Sequence, residues 1–155
     1  VAWLEFRRVL FRSYRLTVTE GSKNSVHYKG RFIEVVTKDK QKAGILLKQW
    51  YRGKAKSLFA ELAEPLILRF EKYNVKPSGI YIQSMPTRWG SCTPKGKIIL
   101  NPELILAPKP CIEYVILHEL CHLVYPNHSQ KFIDLQTKEM PDWRKWKEKL
   151  ERLLA

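Results

Sequence analysis

Residues 114–123 read Tyr114-Val115-Ile116-Leu117-His118-Glu119-Leu120-Cys121-His122-Leu123. The stretch is apolar except where His118, Glu119 and His122 interrupt it. Pro110 upstream and Pro126–Asn127 downstream bound it, so it reads as one helix from Pro110 to about Val124. Histidines four apart share a helix face, with β-carbons about 5–6 Å apart. Two imidazoles so placed can hold one zinc, at about 2.0–2.1 Å each. Glu119 lies about 100° further around the helix, where it can reach a water held by the metal without ligating the metal itself. Five residues thus supply two ligands and a general base.

A catalytic zinc takes three protein ligands and keeps one position open. His128 is the leading third ligand, because Pro126 and Asn127 break the helix just before it and let the chain turn back. Glu139, 17 residues after His122 on a downstream helix, is the rival, completing the site with a carboxylate. The remaining histidine, His27, reads as a surface residue. Cys121 sits among apolar side chains and fits a buried, inert thiol better than a ligand; Cys92 and Cys111 are also read as structural. A Cys–His nucleophile would leave the position of Glu119 unexplained. A ligating histidine donates its second N–H to a carboxylate or carbonyl, and Asp134 and Glu139 are the candidate acceptors.

Working outward, Leu16–Val18 and Phe32–Val36 are short apolar runs separated by turn-like Glu20–Gly21–Ser22 and Lys29–Gly30, a pattern of two or three strands. Asp39 can cap a long helix from about Lys40 to Asn74. Ile45, Leu46, Trp50, Leu58, Leu62, Leu66 and Phe70 recur on it near a 3.6 period, and Gly53 and Pro65 are expected to bend or split it. Ile80 to Ser84 alternates as a strand, with Lys97 to Leu100 as its expected hairpin neighbour across Pro94–Lys95–Gly96. A short helix between Pro102 and Pro110, a helix capped by Ser129, and a last helix opened by Pro141 complete the order. Strands, a long helix, a small sheet and then helices make an α+β arrangement.

The chain holds 155 residues, 45% of them hydrophobic, with 28 Lys plus Arg, 15 Asp plus Glu and 3 Cys. That length suits one domain with a sizeable core and excludes a disordered or collagen-like chain. No run reaches 18 uncharged apolar residues, so a spanning helix is excluded. Three cysteines, an odd number, argue against a disulfide framework and for a reducing, cytoplasmic setting. The net charge of +13 is uneven: residues 1–56 carry 14 Lys/Arg against 4 Asp/Glu. Such a basic part attracts nucleic acid, nucleotides or other anions. The chain opens on Val, and its first dozen residues, candidates for non-native sequence, receive no functional weight.

Several segments in order resemble one family. RWGSC (Arg88–Cys92), LNPELILAP (Leu100–Pro108), YVILHELCHL (Tyr114–Leu123), NHSQKF (Asn127–Phe132) and MPDW (Met140–Trp143) are similar to the YgjP-like, SprT-related metallopeptidase-like family, over roughly residues 40–155. The resemblance implies a zincin-like, minimal gluzincin-like fold: a small sheet, an active-site helix and supporting helices. Length and charge distribution, by contrast, suggest a single domain over 1–155, with a basic, β-rich part at 1–38 and the core at 39–155. The resemblance also implies one zinc per chain on His118, His122 and His128, with Glu119 as base. Pro86, in MPTRWGSC, stands where family members carry a basic or small residue.

Arg88, Trp89 and Gly90 are the candidate substrate-binding residues. The Arg88 guanidinium offers five donors suited to a carboxylate or phosphate, and Gly90 permits close backbone approach. Arg88 could equally pair with an acidic residue and Trp89 fill the core. The leading reading is a zinc-dependent peptidase, with an extended peptide paired to an exposed strand near Ile80–Ser84. The alternatives are a metal-dependent phosphohydrolase acting on nucleoside triphosphates, and a DNA-associated protease docked through the basic N-terminal part.

Overall fold

A computed structural model of the protein describes residues 15–29 and 32–154. The opening dozen residues and the turn residue Gly30, singled out above, lie outside the described residues. The chain divides into two compact units, Val1–Lys54 and Ala55–Ala155.

In the first unit, β1 (Arg15–Glu20), β2 (Ser25–Lys29) and β3 (Phe32–Thr37) form a sheet of order β1-β3-β2. β3 is central, parallel to β1 and antiparallel to β2. It buries Ile33, Val35 and Thr37, alternate residues that share one face. Asp39 accepts a hydrogen bond from the Gln41 N–H at 2.9 Å and caps a short 3-10 turn, Lys40–Lys42.

Helix α1, Ala43–Phe70, is continuous through both Gly53 and Pro65. The expected split is absent. Pro65 strands only the Glu61 carbonyl, and both residues are exposed, so water can satisfy it. Ala55, Phe59, Ala63, Leu66 and Phe70 form the buried stripe; Leu58 and Leu62 are half-buried beside it, and Ile45 is 60% exposed. Leu66 and Phe70 are buried as the sequence suggested, whereas at Leu58 and Leu62 the buried position is the next residue, Phe59 and Ala63. A 3-10 turn, Glu71–Tyr73, ends at Asn74 in the left-handed region.

In the second unit, β4 (Gly79–Ile82), β5 (Gly90–Cys92) and β6 (Lys97–Leu100) form a sheet of order β4-β6-β5. The expected hairpin partner is corrected here: β4 runs parallel to β6, and the antiparallel neighbour of β6 is β5. Pro94–Lys95–Gly96 does form the loop, but between β5 and β6. Gly96 takes a positive φ of 82° and its N–H bonds the Thr93 carbonyl at 2.9 Å.

Three helices follow a 3-10 turn at Pro102–Leu106: α2 (Lys109–Val124), α3 (Gln130–Glu139) and α4 (Trp143–Leu154). α2 is the hub of this unit. It buries nine residues around its circumference, from Cys111 to Cys121, and packs on β5, β6, α3 and α4. A helix apolar on so many sides belongs inside a core. The result is an α+β protein with two small mixed sheets.

Candidate metal centre

α2 carries His118 and His122 on one face and ends at Val124, with Tyr125 as its cap, followed by Pro126. The turn that Pro126 forces brings His128 back over the helix, and the Ser129 hydroxyl then caps α3 by accepting from the Phe132 N–H at 3.4 Å. One ring nitrogen of each of His118, His122 and His128 lies within 4.8 Å of the other two. The Nε2 atoms of His118 and His128 are 3.2 Å apart. Two ligands on a tetrahedral zinc at the usual bond length stand about 3.3 Å apart, so this pair already has the spacing a metal needs.

On two of the rings the nitrogen facing away from that point is occupied. His118 Nδ1 lies 2.7 Å from Gln136 Oε1, and His122 Nδ1 lies 3.3 Å from the Tyr125 carbonyl oxygen. Each partner is an acceptor for an Nδ1–H, an arrangement that would leave Nε2 with the free lone pair. Burial holds the His118 pKa down to about 4, despite the Gln136 bond, and the neighbouring imidazoles push the same way. Burial also lowers His122. Both rings are therefore neutral near pH 7, as metal ligands must be.

Glu119 points to the side of this group and is 5% exposed. Burial pushes its pKa up to about 7, against the opposing charge of Arg88. Its place is defined by β5. A β-carbon on Gly90 would stand 3.2 Å from Glu119 Oε1 and 2.8 Å from Val115 Cγ1, so only glycine leaves room there.

A cleft of about 710 Å³ opens over the site, lined by Arg88, Gly90, Ser91, Cys92 and Thr93 on one side and by His118, Glu119, His122 and His128 on the other. A smaller recess of about 250 Å³ continues from it past Glu119, between Trp89, Tyr114 and Leu150. Of the residues singled out in the sequence, Arg88 and Gly90 line both spaces and Trp89 lines only the recess. Trp89 is half-buried and also packs on the core. Cys92 lines the cleft as a half-buried thiol whose pKa burial raises; Cys111 and Cys121 are buried thiols, and all three are free.

The rival third ligand, Glu139, lies outside the imidazole group. Its carboxylate takes the Lys72 ammonium at 2.8 Å and a hydrogen bond from the Tyr73 hydroxyl. Of the sequence-based acceptors, Asp134 is an exposed partner of Gln130, and the residue that stands against His118 Nδ1 is Gln136. Sequence reasoning sought a carboxylate and passed over a neutral amide.

Two further residues escaped it. Phe132, fully buried, packs its ring 5.0, 4.6 and 5.0 Å from those of His118, His122 and His128. Asn101, 4% exposed, donates from Nδ2 to the carbonyls of Met85 and Arg88, at 2.9 and 3.1 Å. Its own N–H bonds the Trp89 carbonyl at 2.9 Å, so one side chain and its backbone staple the loop that carries Arg88. Their signal in the sequence is faint: Phe132 stands four residues after His128, and Asn101 precedes a proline.

The family described as YgjP-like, metallopeptidase domain, matches residues 5–153, nearly the whole chain. The chain belongs to the YgjP-like metallopeptidase family. The match starts well upstream of residue 40, from which the sequence resemblance extends. No curated protein matches the chain. Membership supports a metallopeptidase-type hydrolase using a divalent metal, usually zinc, and a peptide or protein substrate. Among the described residues of this YgjP-like protein, no helix is long and apolar enough to cross a membrane.

Proposed function

We propose that this YgjP-like protein is a zinc-dependent peptidase of minimal zincin architecture, with His118, His122 and His128 as ligands and Glu119 as general base. The observation that carries the proposal is the convergence of three imidazoles beside a buried carboxylate, on the floor of an open cleft.

A bound zinc would supply a Lewis acid that polarises the scissile carbonyl and acidifies water. The chain's own groups do the rest. Gln136 and the Tyr125 carbonyl orient two of the imidazoles. Glu119 takes a proton on its carboxylate and returns it to the leaving amine, work suited to a base poised near neutrality. β5 is an outer strand of its sheet and lines the cleft, whereas β4 lies at the opposite edge. An extended peptide is therefore expected to pair along β5, rather than along Ile80–Ser84 as the sequence suggested. Arg88, exposed at the mouth, is placed to meet a carbonyl or carboxylate of that peptide.

The free cysteines fit a reducing, cytoplasmic setting. Docking of nucleic acid on the basic N-terminal part rests on charge, and salt-dependent binding is its test.

The deciding experiment offers zinc-loaded wild type and Glu119→Gln an unfolded protein, a peptide library and nucleoside triphosphates, with products read by mass. Peptide cleavage by wild type alone is the expected result. Phosphate release by wild type alone would move the same site to phosphohydrolysis, and no product from any substrate would sink both readings.

A further inference from the structure

α3 turns Phe132, Leu135, Gln136 and Glu139 toward the interior at spacings of three, four and seven, one face of a helix. Phe132 supports the imidazole rings. Leu135 joins the core. Gln136 is 1% exposed, and His118 Nδ1 sits 2.7 Å from its amide oxygen. Glu139 ends the helix in a clamp: Lys72 and Tyr73 hold its carboxylate, and Arg69 Nη1 donates to its backbone carbonyl at 3.1 Å. Arg69 on α1 and the 3-10 turn after it thereby tie down the end of α3, and with it the height of Gln136 against α2.

We propose that Gln136 is the positioning residue of this centre: its amide oxygen holds His118 as the Nδ1–H tautomer, so that the Nε2 lone pair faces the metal. The inference rests on the metal reading above. Four observations support it. The side chain is buried, so water does not compete for the Nδ1–H. The Gln136–His118 contact is short. His118 Nε2 lies 3.2 Å from His128 Nε2, where it accepts a hydrogen bond from that ring when its own proton sits on Nδ1. Asp134 and Glu139, the nearby acids of the same helix, are engaged elsewhere. An uncharged amide orients the ring without offsetting a bound cation's charge, whereas a carboxylate would also raise the basicity of the ligand.

The test uses the full chain, zinc competition titrations and long-range proton–nitrogen NMR of the His118 ring in the metal-free protein. Wild type is expected to show the Nδ1–H tautomer. Gln136→Leu is expected to shift the ring toward Nε2–H and to weaken zinc binding about 10–100-fold. Gln136→Glu, which can still accept, is expected to restore the tautomer and bind zinc at least as tightly as wild type. An Nε2–H tautomer in wild type, or unchanged zinc affinity in Gln136→Leu, overturns the proposal. Should Gln136→Leu not fold, the wild-type tautomer and the Gln136→Glu affinity decide alone. If wild type binds no zinc, the metal reading fails separately, and the tautomer still judges Gln136.

Discussion

Gly90 and Glu119 are packed so closely that a single methyl group at residue 90 would stand 3.2 Å from the Glu119 carboxylate. The same methyl would meet Val115 Cγ1 at 2.8 Å, closer than carbon atoms approach without displacement. Gly90→Ala must therefore shift β5 away from α2 or turn Glu119 aside. Overpacking of this kind costs about 1–3 kcal/mol, and a misplaced catalytic group can cost about 100-fold in rate. Denaturant melts and kcat/KM should show both losses with the zinc content unchanged. Full activity in Gly90→Ala would contradict the placement of Glu119 as base.

Glu119 should also govern how the metal-free protein responds to pH. Its pKa is raised by burial from 4.5 to about 7 in the folded state. The folded chain thus binds more protons than the unfolded chain between those values. The stabilisation is complete below 4.5 and is lost as pH rises through 7. Glu119→Gln has no such titration, and the opposite titration of His118 is common to both proteins. With metal chelated, the variant should gain on wild type by roughly 3 kcal/mol between pH 4.5 and pH 8. Urea melts at the two pH values measure it; parallel behaviour of the two proteins would count against a buried, ionisable Glu119.

His128 is exposed, while His118 and His122 sit half-buried on the central helix. His128→Ala should leave thermal unfolding of the metal-free protein nearly unchanged. It should weaken zinc binding by about 100-fold or more, beyond the 10–100-fold expected for an outer partner. Competition with a chromophoric chelator reads the affinity. Retention of wild-type affinity would return the third ligand to open question.

Arg88 opposes the burial of Glu119 by favouring its ionised form. Removing the charge in Arg88→Leu should move the acidic limb of the kcat/KM profile to higher pH, because a base that ionises later becomes active later. KM should rise as well if the guanidinium meets the substrate. An unshifted limb would mean that Arg88 and Glu119 do not communicate.

The sequence by itself determined what depends on local spacing. His118 and His122 share a helix face because they stand four apart, and Pro126 turns the chain back because it cannot continue the helix. The α+β order, the Ser129 cap and the family resemblance were legible for the same reason: each is written in neighbouring residues. Tertiary structure alone decided which distant residues serve the site. Gln136 rather than Asp134 meets His118 because the rotation of α3 is fixed by Glu139, whose own partners lie near residue 70. β5 rather than β4 borders the cleft because strand order in a sheet follows long-range pairing, which alternation along a strand does not encode. Gly90 reads in the chain as a flexible residue; only the packing of β5 on α2 shows that its missing side chain is the space occupied by Glu119.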